Sequence, residues 1–578
     1  MTYSSVGARF LAQCAASGTR EAFRAPAQSG WQSLTWAETA ERARGLAAGL
    51  LALGVRPEQR VAIAATTRLD WVLADLAVTL AGAATTTVYP STNAEDVDHI
   101  LTDCAAVVVF AEDAAQLAKL RDGDGFVGGV RHVVLFDGEG EGALSLDGLA
   151  ALGRHHLREH PDAVDEVLAA ITPEHLATII YTSGTTGRPK GVELTHGNWL
   201  YLGAAIASER VIRPDHLQFL WLPLSHVFGK LLLAAQYEIG FTTAVDGRID
   251  RIVDNLAVIK PSFMAAAPRV FEKIYSRVLS TTEAAGGLRG RIAKRAFAIG
   301  VDAVRRGRPV PVWRRVELAV AERLVFARIR ERFGGHLEYL VSGSAALAPR
   351  IAEWFAAIGL PILEGYGLTE TTGASFVNRP GAVRIGTVGV PLPGTEVRIA
   401  EDGEILLRGP GVMRGYHNLP DQTDAVIDAD GWFATGDIGE VDAEGYLRIT
   451  DRKKDLVKTS GGKYIAPTAI ESAIKAACPL VSTAVVIADG RHFASVLLAL
   501  DPDAVPAGTD PHAAVQHAID SVNAGLNRWE TIKQYRILPR ELSVEAGELT
   551  PSLKIRRAVV MKNHAALVDE IYSGTAER

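Results

Sequence analysis

Helical and strand periodicities alternate through the N-terminal part of this chain, and that alternation is the strongest constraint on its fold. Apolar residues recur at helical spacing over 36–53 and stop near Gly54, Arg60–Ala65 is an apolar run of strand length, Leu69–Leu80 is helical again, and Ala83–Pro90 is a further strand candidate. The pattern returns around Val107–Phe110, Val133–Phe136 and Phe219–Leu222. Strands separated by helices predict an α/β fold, with mostly parallel sheets covered by helices. At 578 residues the chain exceeds what one hydrophobic core serves, so at least two domains are expected. No repeat of solenoid length is apparent.

The texture changes twice. Over 272–332 arginines accumulate, and Val316, Val320 and Leu324 share one helical face before the stop signal Gly334-Gly335. One reading is a basic surface for anionic lipid or for the phosphates of a cosubstrate; the other is a set of ordinary amphipathic helices with solvated arginines. After Pro393, short strands and turns such as Gly403–Gly409 and Gly445–Ile449 predict a small antiparallel subdomain. The polar cluster Asp451-Arg-Lys-Lys-Asp455 reads as a linker or a charged surface turn, and the residues beyond it suffice for a small α+β domain. The expected division is therefore 1–450, a hinge at 451–457, and 458–578.

Composition narrows the class. Apolar residues at 48% and charged residues at 22% match soluble proteins, and no run approaches the length of a membrane span. The start, Met1-Thr-Tyr-Ser-Ser5, lacks a basic or apolar leader, which makes the cytoplasm the expected compartment. Cys14, Cys104 and Cys478 show no ligand spacing and are expected to be inert thiols. His155, His156 and His160 read as a solvated helix face. A net charge of -7 argues against nonspecific nucleic-acid binding over the whole surface.

Four segments carry chemistry. Thr182-Ser183-Gly184-Thr185-Thr186-Gly187-Arg188-Pro189-Lys190 lies between two strand candidates, so it is a strand-to-strand loop. Its glycines free backbone N–H groups to converge on phosphate oxygens, and Lys190 adds a mobile positive charge. The spacing is not that of a Walker P-loop, and a bare Gly/Ser/Thr turn is the competing reading. Gly365-Tyr366-Gly367-Leu368-Thr369-Glu370 follows the apolar segment 360–363: Tyr366 offers a face to a purine, Thr369 a hydroxyl to phosphate, and Glu370 an oxygen ligand to Mg²⁺. Asp437, after the turn Gly431–Gly436, is a carboxylate suited to two ribose hydroxyls or to an Asx turn. Leu549-Thr-Pro-Ser-Leu-Lys554 presents one lysine after a proline turn.

Together with Asp451–Lys454, these segments resemble, in order and over nearly the whole chain, the motifs of the adenylate-forming superfamily of acyl-CoA synthetases, adenylation domains and beetle luciferases. Ala267–Lys273, Arg330–Gly335 and Asp451–Val457 look like those of its long-chain fatty-acid CoA ligases. The resemblance implies ATP and Mg²⁺ as cofactors, fatty acid and CoA as partners, and a C-terminal domain that rotates between two half-reactions about Lys454. It implies that Lys554 bridges carboxylate and α-phosphate, that Thr369, Glu370 and His226 serve the reacting groups, and that Thr182 and Glu370 hold the metal. It also carries Gly343, Ser344, Ala345, Glu364, Gly365, Tyr366, Gly367, Asp437 and Arg452 into the nucleotide site, and Gly461 and Gly462 onto the path of the pantetheine arm. Two positions depart from the usual pattern: Gly343-Ser-Ala-Ala346 stands where many relatives have Gly-Gly-Ala-Pro, and Ala469 where many have Glu. The rival within the superfamily is a fatty acyl-AMP ligase that loads a carrier protein.

Overall fold

The computed structural model describes residues 3–123, 125–182, 188–284, 287–306, 312–460, 463–502, 504–505, 510–550 and 554–573. Two large sheets form the N-terminal part. In the eight-stranded sheet, Arg60–Ala64 pairs in parallel with both Ala84–Val88 and Val108–Ala111, and Ala84–Val88 pairs with Leu176–Thr182 (β1), which turns back antiparallel into Lys190–Thr195 (β2). The central strand Ala84–Val88 is buried along its whole length, as expected of a parallel strand covered on both faces. The nine-stranded sheet carries parallel Leu217–Leu220, Thr242–Val245, Phe263–Ala266, Tyr339–Ser342 (β3) and Ile362–Tyr366 (β4).

Helices cover these sheets where the sequence periodicity places them. Leu69–Leu80 has the expected bounds. Trp36–Ala52 opens on a capping box between Thr35 and Glu38 and buries Trp36, Ala43, Leu46, Ala47 and Leu50. It crosses Leu146–Glu159 so closely that a Cβ on Gly153 would stand 1.8 Å from the Gly45 carbonyl oxygen, a position only glycine can fill. Val227–Ile239 (α1) and Pro268–Ala284 (α2) are the two helices that bear on the site.

Two features differ from the sequence reading. The apolar segment 360–363 enters a strand that runs from Ile362 through Tyr366, so the strand reaches into the Gly-Tyr-Gly motif and pairs there antiparallel with Phe376–Val377; Pro361, which has no N–H to donate, precedes it. Further, Val316, Val320 and Leu324 point outward, 63%, 50% and 42% exposed, while Ala321 and Phe326 face the core. A π-helical turn at Glu322–Phe326 interrupts this helix.

The small antiparallel sheet Glu396–Ile399, Glu404–Arg408, Phe433–Val441 (β5) and Leu447–Arg452 (β6) follows. The C-terminal domain then packs Pro467–Ala477 (α3) and Pro511–Asn523 on the three-stranded sheet Val481–Ile487, Ala494–Leu500 and Ile532–Ile537. All three cysteines are buried, and burial pushes the Cys14 thiol up to about 12 and the Cys104 thiol up to about 11. Among the described residues no helix is long and apolar enough to cross a membrane.

Candidate active site

Asp437 on β5 and Arg452 on β6 face each other across the antiparallel ladder, and a bulge between Ile438 and Gly439 bends the pair locally. Arg452 Nε lies 3.1 Å from Asp437 Oδ1, and the Tyr366 hydroxyl at the end of β4 donates to Asp437 Oδ2 at 2.6 Å. Burial raises the Asp437 carboxyl above its usual range, against the opposing pull of Arg452, the Tyr366 bond and Lys554. Burial beside Asp437 also raises the Tyr366 phenol, which therefore stays protonated and donates.

Glu370 follows within a short helical turn, Thr369–Thr371, whose Thr369 is buried. Its Oε1 accepts a bond of 2.9 Å from the Tyr416 hydroxyl, and the Tyr416 ring lies 5.2 Å from the Lys190 ammonium. Lys190 is in turn the cross-strand partner of Thr182. A chain of neighbours thus joins the strand ends that flank the Gly/Thr loop to the carboxylate at Glu370. Glu370 and Thr182 offer oxygen donors only, the set Mg²⁺ takes. Tyr416 has no motif around it and is not readable from sequence; the signal available is an aromatic beside Gly415.

His226 caps the first turn of α1: its Nδ1 accepts the Phe228 N–H at 3.1 Å, which leaves the proton on Nε2. Burial, and then the charge of Lys554, push the imidazole down to about 3, so it is neutral at physiological pH. The segment entering it is held by Thr67 and Thr87, whose hydroxyls donate to the carbonyls of Leu222 at 2.7 Å and Ser225 at 2.9 Å. One turn on, Lys230 pairs with Asp75 between the rings of Trp71 and Trp199.

Lys554 comes from the C-terminal domain on a hairpin closed by the Leu549–Ile555 bridge and by Thr550, whose N–H donates to the Lys554 carbonyl at 2.8 Å. The buried Glu548 anchors that hairpin through Arg540 and His564. Lys554 is exposed as a residue, yet its ammonium is crowded by protein. That crowding and the charge of Arg452 lower its pKa, while Glu370 and Asp437 oppose them. The structure therefore brings His226, Glu370, Asp437 and Arg452 each within electrostatic reach of Lys554.

Glu364 ends the buried part of β4 opposite Ser342 of β3, and Gly343 and Ser344 continue from there past the Phe228 ring. Ser344 takes a left-handed φ of 70°. Burial raises the Glu364 carboxyl to about 7, although the N–H groups of Leu347 and Gly386 favour its charged form. Because the folded chain holds this proton more tightly than the unfolded chain does, Glu364 contributes most below its unfolded value near 4.5, and the contribution is lost as pH rises to about 7. Glu364→Gln is expected to flatten the decline of Tm between about pH 5 and pH 8; parallel Tm–pH curves for variant and wild type would refute this.

Gly365 lies in β4 and Gly367 just beyond it; Ala345 follows Ser344, and Lys454 follows Arg452 by two residues. Ala469 stands exposed on α3. Ser183, Gly184, Thr185, Thr186 and Gly187, and Gly461 and Gly462, lie outside the described residues.

This arrangement defines the class: residues 10–417 match the AMP-binding enzyme family and residues 454–576 the AMP-binding enzyme C-terminal domain, so the chain belongs to the AMP-binding enzyme family. Its relatives include the long-chain-fatty-acid–CoA ligases FadD15 of Mycobacterium bovis and Mycobacterium tuberculosis, each 37% identical over 566 residues, 94% of this chain and 93% of theirs. The crystal structure of the anthranilate CoA ligase AuaEII in complex with anthranoyl-AMP shares the fold, with a TM-score of 0.76 at 20% identity over 99% of both chains.

Proposed function

We propose that this chain is an AMP-forming long-chain fatty acid CoA ligase, with an N-terminal domain to about residue 450, a hinge at 451–457 and a mobile C-terminal domain. The observation that carries the reading is the approach of Lys554, from the C-terminal domain, to His226, Glu370 and the Asp437–Arg452 pair. The names and length of the 37% identical relatives support the acyl substrate and the CoA acceptor.

A carboxylate resists nucleophilic attack because its carbon is shielded by delocalised charge and its leaving group is poor. Attack of a carboxylate oxygen on the α-phosphorus of ATP forms the acyl–phosphate bond and breaks the bond to pyrophosphate. In this reading Lys554 bridges the two reacting anions, the loop 182–190 cradles the departing phosphates, and Thr369 bonds phosphate oxygen. A magnesium ion held by Glu370 and Thr182 would supply positive charge beside those phosphates. Tyr366 offers its ring to adenine while its hydroxyl stays on Asp437; the carboxylate's remaining lone pairs accept the ribose hydroxyls, with Arg452 beside them. Neutral His226 donates its Nε2 proton toward the acyl carboxylate. Gly343, Ser344, Ala345, Glu364, Gly365 and Gly367 line the nucleotide and acyl side. In the second half-reaction the CoA thiol attacks the acyl carbon and AMP leaves; Lys454 is the pivot that withdraws Lys554, and Gly461 and Gly462 lie along the pantetheine path.

The test is pyrophosphate release with ATP, Mg²⁺ and fatty acids of graded length, with and without CoA, and mass-spectrometric identification of products. Acyl-CoA from long chains is the expected result. Acyl-AMP that persists despite CoA would favour a ligase that loads a carrier protein, and no turnover with any acid would overturn the reading.

The reading includes peripheral contact with the inner membrane face. Outward Val316, Val320 and Leu324 stand among exposed Arg323 and Arg328, a combination suited to anionic lipid. Cosedimentation with phosphatidylglycerol vesicles is expected at low salt and should fall in Val320→Asp; absence of binding, or no effect of the substitution, would refute it.

A further inference from the structure

The C-terminal domain meets the rest of the chain along one face of α3. Near its start, the Thr468 hydroxyl donates to Asp451 Oδ1 at 3.0 Å, beside the linker. Seven residues on, and so on the same face, Lys475 Nζ donates to both carboxylate oxygens of Glu272 on α2, at 3.0 and 3.1 Å. Seven residues of helix span about 10 Å, so the second clip acts well away from the first. Ala476 is buried in the apolar core whose other members run from Phe10 to Phe433. Arg269, one turn before Glu272, stands 3.6 Å from Glu541 of the C-terminal domain.

The opposite side of α3 is fixed within its own domain. Ile470 and Ile474 are core residues there, while Glu471, one turn before Lys475 and on the same flank, accepts the Val486 N–H at 2.7 Å and pairs with Arg557 at 2.7 Å. Arg557 is three residues beyond Lys554. A direct mechanical line therefore runs from Glu272 through Lys475 and the body of α3 to Glu471, Arg557 and the hairpin that carries Lys554.

We propose that Glu272 on α2 and Lys475 on α3 form a latch that holds the C-terminal domain in the orientation presenting Lys554, making both of them positioning residues for acyl-AMP formation. The inference rests on the ligase reading given above. Asp451 and Thr468 stay clipped near the pivot, whereas the Glu272–Lys475 pair is half-buried, reaches its partner through a flexible lysine, and must open whenever Lys554 withdraws. With side chains 24% and 12% exposed, the pair is covered enough to bias an orientation and still open enough at the lysine for it to release into water.

The test separates the two half-reactions in Glu272→Gln, Lys475→Gln and the charge swap Glu272→Lys with Lys475→Glu. Each single substitution is expected to slow single-turnover pyrophosphate release by about tenfold, and the swap to restore most of the loss. Acyl transfer from premade acyl-AMP to CoA is expected to hold or to rise. Unchanged pyrophosphate release in Glu272→Gln, an equal fall in both half-reactions, or no recovery in the swap would overturn the latch. A second measurement does not depend on turnover. Spin labels at Val258→Cys and Tyr464→Cys, exposed positions one in each domain, should give a narrower distance distribution in the otherwise wild-type chain than in the Glu272→Gln background. Identical distributions would overturn the latch. If the wild-type chain forms no acyl-AMP from any fatty acid, the functional reading fails, and the distances alone decide the latch.

Discussion

Replacing Lys554 by alanine is expected to slow acyl-AMP formation by about a hundredfold to a thousandfold, while transfer from premade acyl-AMP to CoA stays within about twofold of wild type. The asymmetry follows from placement. Lys554 is the cation that the C-terminal hairpin brings toward both Glu370 and His226, and the charge it offsets exists only while a carboxylate and a triphosphate are brought together. Once the mixed anhydride has formed, the thiol needs access rather than that charge. Rapid-quench measurement of pyrophosphate and of thioester, each from a single turnover, reads the two steps separately. Equal loss of both would remove Lys554 from its assigned role.

Asp437→Ala is expected to raise the KM for ATP by roughly tenfold to a hundredfold, the range for a hydrogen bond to a charged group, with a smaller effect on the acid. The same substitution leaves the Tyr366 hydroxyl without the acceptor it now reaches at 2.6 Å, at a cost of roughly 1–3 kcal/mol in stability. Arg452 adds less, because its side chain is 45% exposed and can turn to water. Asp437→Asn, which keeps one oxygen acceptor, should fall between alanine and wild type in both respects. An unchanged KM for ATP in the alanine variant would exclude Asp437 from the nucleotide site.

Local pattern made much of this legible. Leu69–Leu80 is readable to the residue because its apolar spacing begins after polar Arg68 and ends against Ala81-Gly82, where the chain must turn. The run Val192–Leu194 is readable as a strand because its apolar residues follow a polar loop, and the strand extends beyond it on both sides, over Lys190–Thr195. The motifs could be placed in order along the chain, but their convergence is a property of the sheets: 71 residues separate Tyr366 from Asp437. Tyr416 stayed hidden because its partner Glu370 lies 46 residues away and neither sequence neighbourhood registers the other. Lys475 was equally invisible, since a lysine in the last turn of a helix is normally only solvated. The outward row of Val316, Val320 and Leu324 shows the limit of periodicity, which groups residues on a face without saying whether that face looks toward the core.

The pairing of Asp437 with Arg452 has one more consequence. Both belong to a ladder of backbone hydrogen bonds between β5 and β6, which runs through Arg452, two residues before Lys454. Departure of the C-terminal domain would carry Lys554 away and leave these two side chains where they are, with Tyr366 still bonded to Asp437. In the proposed reaction Asp437 would keep its grip on the ribose of the adenylate throughout the changeover, so a reactive anhydride would not be spilled into water while the site reopens for its acceptor.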